Sequence, residues 1–548
     1  MTRAGERRIA LFFILITYAI LSPVLFRYMA HPFDSDEAVH ALYGLQTAAD
    51  IHHHHWQRLI SHLYFQAWYP PLLSLYLAPF FLTLGPAPWV SRYPLLLLFI
   101  LNLALIYQVG NSMGRRTTGL WSLVLLATAP WMWVYALLCM EEMLAITGVL
   151  TVLLTYTRAL RGQSHWGAVS AALLLTLFAK IPVGAFAAAG VGAALWFTTS
   201  RTFGQKLRTT GQIFGPMGGV ALLWWGHPLK IADLRAYFQA SPPMYETWNG
   251  AMLLHYGQQI VHTAMAGPLL GLLACVALAA AFWPRRHPAL QLPAWITLAT
   301  WVALLLKRQV ADRFFISVIP ALCVITASLM ATYGETWRGR SQKGWAYALY
   351  GAWGVYLCLY VGLRLCSLPL LMAVSYETDD NSRQAQAWIA DRIGETAPPA
   401  QASAFLINGW DQFSHYALDY YLAQRAWPQW ESPAVTDVVL KDPAQYPDAV
   451  AAFQTQVLQE DLGRLVHLEN TPVPAAGAWW AYRAALQSCW DGEWTAEATF
   501  WIRIWDERLS QELLAHPEHY WSARSQTAAQ QQWGYPLPLH IQFAICLN

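Results

Sequence analysis

Between roughly residues 9 and 371 the chain offers one apolar helix after another of bilayer-crossing length, and that repetition limits the fold more than any single motif. Hydrocarbon cannot satisfy backbone N–H and C=O groups, so such segments fold as helices that close their own hydrogen bonds. Hydrophobic residues make up 56% of 548 and charged residues only 12%. Soluble domains usually carry about 25% charged residues, so a water-soluble monomer is excluded. The formal charge of +2, with few Lys or Arg in blocks, gives no footprint for nucleic acid.

The first run, Ile9 to Phe26, follows Arg3, Arg7 and Arg8, and short basic flanks of this kind stay in the cytoplasm. A signal peptide has similar regions, but the run is long for one and no small-x-small site follows directly, so a retained helix is expected. Further spans are expected near 90–109, 117–137, 143–157, 165–179, 182–198, 211–226, 263–283, 291–306, 312–332 and 345–371. Pro70 to Leu84 is short and opens on two prolines. Reading it as an interfacial helix leaves Arg115-Arg116, Arg158/Arg161, Arg201/Lys206/Arg208, Arg285-Arg286 and Arg338/Arg340/Lys343 all cytoplasmic. The expected fold class is therefore a multi-span α-helical membrane protein of about eleven transmembrane helices. The outer face then carries the loop 29–89, the turn at Cys139 to Glu142, the loop 227–262, and everything from about 373 onward.

That last stretch changes character. Mixed charges (Asp391-Arg392, Glu460-Asp461, Asp506 to Arg508) and apolar runs too short to span, such as Ala404 to Ile407 and Val438 to Leu440, alternate with helical patterns at 382–393, 413–425 and 445–460. An exterior soluble α/β domain over 373–548 is expected, beside a transmembrane domain over 1–372 whose first outer loop, 29–89, carries interfacial helices. An oxidising exterior leaves open a Cys489–Cys546 disulfide; the other five cysteines read as small apolar packers. The chain has no Walker sequence, dinucleotide fingerprint, His-Glu-x-x-His or Gly-x-Ser-x-Gly.

The densest chemistry-bearing run is Phe33-Asp34-Ser35-Asp36-Glu37-Ala38-Val39-His40 in the first outer loop. Asp34 or Ser35 can cap a helix starting near Asp36, which puts Asp36 and His40 on one face one turn apart, with Glu37 about 100 degrees away. A carboxylate and an imidazole so placed suit a general base and its partner, or one wall of a metal site. The plainer reading is that acidic residues at a helix start favour its dipole.

Glu141-Glu142 forms a second acidic pair, costly near a span unless paired, ion-bound or open to a polar cavity; an ordinary short external loop is the alternative. Lys180, in Ala179-Lys180-Ile181-Pro182, ends one helix on the outer side, where an ammonium suits a lipid-linked phosphate or simply snorkels among headgroups. Arg313 runs against the positive-inside trend and suggests an anion on the outer face. Of His52 to His55, two residues, with His54 and His55 the candidates, together with Asp36, His40, His62 or a carboxylate of the Glu141-Glu142 pair could ligate a divalent ion. A polar juxtamembrane surface is the plainer reading. Trp56, Tyr64, Trp68 and Tyr69 fit an interfacial aromatic belt or a sugar-stacking surface.

Taken in chain order, Phe33 to His40, Tyr69-Pro70-Pro71-Leu72, Ser91-Arg92, Gly114-Arg115-Arg116, Glu141-Glu142, Lys180-x-Pro182 and Arg313-Phe314-Phe315 with Pro320 resemble the GT-C class of lipid-phosphate-sugar-dependent glycosyltransferases. Within that class the likeness is to protein O-mannosyltransferases and the aminoarabinose transferases of lipid A, and it covers roughly residues 9–335. The resemblance implies Asp36 as the catalytic carboxylate, with Glu37 beside it and Glu141 or Glu142 as the second acidic site. It implies Lys180 and Arg313 against the phosphate of a polyprenyl-phosphate sugar, and His40, Tyr69 and Arg92 in acceptor-side or auxiliary roles. It further implies inverting transfer to a glycan, lipid or protein acceptor at the outer face of a bacterial inner membrane, with no cofactor firmly expected and room for a divalent metal. A transporter or lipid flippase, and a nonenzymatic envelope-assembly protein, are the competing readings.

Overall fold

The computed structural model describes residues 3–28, 33, 35–66, 69–113, 117–240, 265, 267–282, 288–307, 315–338, 351–362, 380–396 and 415–429, five strands between 404 and 545, and single positions at 250, 254 and 257. The chain is a multi-pass membrane protein. Among the described residues five helices are long and apolar enough to cross a bilayer: Ala4–Phe26, Pro88–Met113, Glu142–Leu160, Ile181–Thr198 and Leu290–Lys307. The bent pair Thr118–Ala127 and Pro130–Ala136 is apolar and long enough to make a sixth if it crosses as one broken span. Shorter apolar helices include Leu72–Leu84, Trp166–Ala179 and Pro268–Ala281.

The helices used below are α1 (Arg3–Tyr28), α2 (Ser35–His52), α3 (Trp56–Phe65), α4 (Leu72–Leu84), α5 (Pro88–Met113), α6 (Thr118–Ala127), α7 (Pro130–Ala136), α8 (Glu142–Leu160), α9 (Trp166–Ala179), α10 (Ile181–Thr198), α11 (Phe203–Trp225) and α12 (Pro228–Ala240). The chain divides into two units, one of Met1–Leu25, Ile60–Leu73 and Arg92–Cys366, the other of Phe26–Leu59, Ser74–Ser91 and Ser367–Asn548.

The first unit holds most of the membrane helices. Residues 117–137 read as one span, but they fold as α6 and α7, bent by 65°. The cause is Pro130: the residue before a proline is pushed out of the helical region, and Ala129 is extended (ψ 120°). Two side-chain donors add to carbonyls in the last turn of α6. Thr128 Oγ1 donates to the Val124 carbonyl at 2.8 Å and Trp133 Nε1 to the Ala127 carbonyl at 2.7 Å.

Close helix crossings lock α8, α9 and α10. A Cβ on Gly148 would lie 2.5 Å from Thr176 Oγ1, and one on Gly184 would lie 2.4 Å from Leu177 Cα. Small residues let these backbones approach without a hydrophobic driving force, the usual solution between helices in lipid. α5 is tied to α8 by polar contacts: Asn102 Nδ2 donates to the Met143 carbonyl at 3.0 Å, and Thr147 Oγ1 donates to Asn102 Oδ1 at 2.8 Å, all buried.

The second unit is centred on Tyr420, in the helix His415–Ala426. Tyr420 is fully buried, meets the Phe33 ring edge-on at 4.7 Å, lies 6.3 Å from the Phe81 ring, and donates its hydroxyl to the Pro86 carbonyl at 2.8 Å. α2 crosses α4 closely at Gly44, where a Cβ would lie 2.9 Å from Leu77 Cβ. The strands β1 (Ala404–Asn408), β2 (Val435–Val439), β3 (Arg464–Asn470), β4 (Trp494–Trp505) and β5 (Gly534–Ile545) form one sheet in the order β2-β1-β3-β5-β4. β1 runs parallel to β2 and β3, and β5 runs antiparallel to β3 and β4. Cys489 and Cys546 lie outside the described residues.

Candidate active site

In the first unit the polar centre forms where α8 begins and α9 ends. Glu142 is the first residue of α8, and Lys180 is the extended junction (φ −159°, ψ 113°) between α9 and α10, whose second residue is Pro182. The Gly148–Thr176 crossing lies one to two turns from both and brings them together. The Lys180 ammonium donates to Glu142 Oε1, and their side chains are 11% and 2% exposed. The carboxylate sits at a helix N-terminus, whose dipole favours it, whereas the ammonium stands between the C-terminus of α9 and the N-terminus of α10, whose dipoles oppose each other. Glu142 Oε2 is buried and accepts no hydrogen bond among the described residues. A buried acceptor of this kind suits a substrate hydroxyl or a proton. Glu141, the helix N-cap, is buried beside it.

Close by in the chain, Phe178 packs on Trp224 and Trp225 with ring centroids 5.2 and 4.9 Å apart. Trp224 in turn frames a second buried ammonium. Lys230, 1% exposed, has its Nζ 3.5 Å from the Tyr64 ring centroid and 4.5 Å from that of Trp224, and donates to the Trp224 carbonyl at 2.9 Å. Burial pushes its pKa down to about 8 from the ordinary 10.5. Among the described residues, cation–π contacts and the Trp224 carbonyl hold this charge.

The fold is shared with enzymes of known structure. ArnT from Cupriavidus metallidurans bound to undecaprenyl phosphate superimposes with a TM-score of 0.56 at 13% identity, over 90% of this chain and 97% of that one. Its apo form gives 0.54 at 15%, over 88% and 96%. The apo oligosaccharyltransferase of Archaeoglobus fulgidus gives 0.52 at 10%, over 83% and 69%. The chain has the GT-C fold. No protein-family model matches the sequence, and no curated protein matches it by sequence.

Within this GT-C fold the residues singled out from sequence divide between the two units. Glu141, Glu142, Lys180, Tyr69 and Arg92 belong to the first, where Arg92 is fully buried and Tyr69 half-buried. Asp36, Glu37, His40, His54 and His55 belong to the second. Asp36 is half-buried in the first turn of α2, whereas Glu37 and His40 are buried. Arg313 and Asp34 lie outside the described residues.

The histidine run has a local structural task in the GT-C chain. His54 adopts φ +57° one residue beyond the C-cap of α2, the His55 N–H donates to the Asp50 carbonyl at 2.8 Å, and the His54 N–H donates to the Ile51 carbonyl at 3.2 Å. That is a Schellman ending, closing the last carbonyls of α2. His53 Nε2 contacts the Pro428 carbonyl at 2.8 Å. Among the described residues no three His, Cys, Asp or Glu side chains converge as a metal site.

Two features escaped the sequence reading. Asp50, fully buried, accepts from Arg58 Nε at 2.5 Å, joining the end of α2 to α3. Lys230 was the other, and its signal was a lone lysine following Trp224-Trp225-Gly226-His227-Pro228.

Proposed function

We propose that this chain is an inverting glycosyltransferase that moves a sugar from a polyprenyl-phosphate donor to an envelope acceptor at the outer face of the cytoplasmic membrane. The observation that carries the reading is the GT-C fold, matched along nine-tenths of the chain to ArnT, a protein solved with undecaprenyl phosphate. The ion-paired Glu142, whose buried Oε2 accepts no hydrogen bond among the described residues, is consistent with a polar substrate group at this place. On this reading the membrane helices, about eleven in all, make the catalytic domain over 1–372, and residues 373–548 form a periplasmic domain that covers or selects the acceptor.

The reaction proceeds in one step. An acceptor hydroxyl or amine attacks the anomeric carbon as the bond from that carbon to the phosphate oxygen breaks. The phosphate leaves with the bonding electron pair, and the nucleophile's proton passes to Asp36. Glu37 and His40, packed into the same first turns of α2, set the charge and orientation of Asp36. Lys180 and Arg313 stabilise the departing phosphate, with Lys180 partly released from Glu142 as the anion approaches. Glu142 Oε2 accepts from a sugar hydroxyl, Glu141 stands beside it as the second acidic residue, and Tyr69 and Arg92 take acceptor-side or auxiliary roles.

The test is donor turnover by the purified protein in lipid, with a panel of polyprenyl-phosphate sugars and a crude envelope acceptor. Transfer should occur with at least one donor and fall by about a hundredfold or more in a folded Asp36→Asn variant. Inactivity on every donor, or an unimpaired variant, would remove the reading.

A further inference from the structure

We propose that the N-terminal end of α1 and the C-terminal ends of α5 and α8 form a binding site for an anionic glycerophospholipid of the cytoplasmic leaflet. These three helix ends, all in the first unit, enclose a groove of about 1000 Å³. It is far from the acidic centre: α8 has 19 residues, so its end at Leu160 stands about 27 Å from Glu142. Arg7, Arg8, Arg158 and Arg161 gather at this end, which fixes it as the cytoplasmic one by the bias of short basic flanks.

The wall is graded as an amphiphile requires. Toward the membrane interior it is Leu11, Ile14 and Ala104, and toward the helix ends it is Arg7 and Arg158, with amides from Asn111 and Gln163. Among the described lining residues, two guanidiniums and one carboxylate, the buried Glu6, leave one net positive charge. One positive charge matches a single phosphodiester. The neutral amides match headgroup hydroxyls, and the apolar wall matches acyl chains that a free phosphate lacks. Both arginines are exposed in the protein alone, as expected of side chains whose partner arrives from the bilayer.

The full-length protein is purified in detergent, stripped of lipid, and titrated with phosphatidylglycerol, phosphatidylcholine, glycerol phosphate or undecaprenyl phosphate, with bound molecules counted by native mass spectrometry. One phosphatidylglycerol should be retained, and the affinity should fall about tenfold or more in Arg7→Gln/Arg158→Gln, since each basic group contributes to attraction of an anionic lipid. Leu11→Trp, which fills the apolar wall and leaves the charges alone, should weaken retention as well. Arg208→Gln, a surface arginine on the same side, should leave it unchanged. The inference fails if Arg208→Gln weakens binding as much as the double variant, or if phosphatidylcholine binds equally. It fails too if glycerol phosphate competes at equal concentration, or if undecaprenyl phosphate takes the groove in preference.

Discussion

Lys180 and Glu142, 38 residues apart in sequence, meet as a buried ion pair whose second carboxylate oxygen is left open. The pair exists because α8 and α9 cross at Gly148 and Thr176 and because Pro182 ends the helix at Lys180. Removing one partner strands the other charge in a dry site.

Lys180→Met should therefore destabilise the folded protein by about 3 to 5 kcal/mol, the cost of an uncompensated buried charge. Lys180→Met combined with Glu142→Gln should cost less than the sum of the two single changes. Unfolding in detergent, run as a double-mutant cycle, measures this, and additive effects would mean that the two charges are not coupled.

The Lys230 ammonium gives a pH signature. Its pKa is about 8 when folded and 10.5 ordinarily. Across that window the unfolded chain still holds a proton the folded chain has released, so stability should rise with pH from about 8 to 10.5. Relative to Lys230→Met, the wild type should gain thermal stability between pH 8 and 10. A relative loss would mean that the Tyr64 and Trp224 rings hold the cation more strongly than burial opposes it.

Two glycines in the same region should respond in opposite directions. Gly184→Ala places a Cβ 2.4 Å from Leu177 Cα, an atom that cannot swing aside, and should cost about 1 to 3 kcal/mol and reduce sugar transfer by moving the Lys180 junction. Gly167→Ala, near the start of α9, meets nothing within 4 Å and should be neutral or stabilising by up to about 1 kcal/mol. Unfolding midpoints of the two variants decide it.

His54 separates a cap from a ligand. At φ +57° a glycine is at ease, so His54→Gly should hold or raise stability by a few tenths of a kcal/mol, about the scale of a relieved left-handed residue. Activity should be unchanged by chelator in both proteins. Chelator-sensitive activity lost in His54→Gly would favour the metal reading.

Much of this architecture was legible in the chain because lipid leaves few choices. The run expected at 182–198 is α10, the acidic helix expected near Asp36 begins at Ser35, and Ala404 to Ile407 falls within β1. What was illegible depends on contacts between segments. Glu142 and Lys180 were each conspicuous, but their pairing follows from a glycine crossing that has no sequence signature. Hydropathy read 117–137 as one run, since it is blind to the extended residue that Pro130 imposes. Lys230 passed unnoticed because its ring partner Tyr64 comes from a distant helix.

The enclosure of Glu142 and Lys180 also bears on how this protein meets its surroundings. Mobile ions screen exposed charges over about 8 Å at physiological strength but reach buried pairs poorly. With side chains 11% and 2% exposed, this polar centre is set by the pairing of its own charges and is nearly indifferent to the salinity of the medium. Exposed Arg7 and Arg158 have no such shelter. One molecule thus carries a centre deaf to ionic strength and, a helix length away, a rim that listens to it.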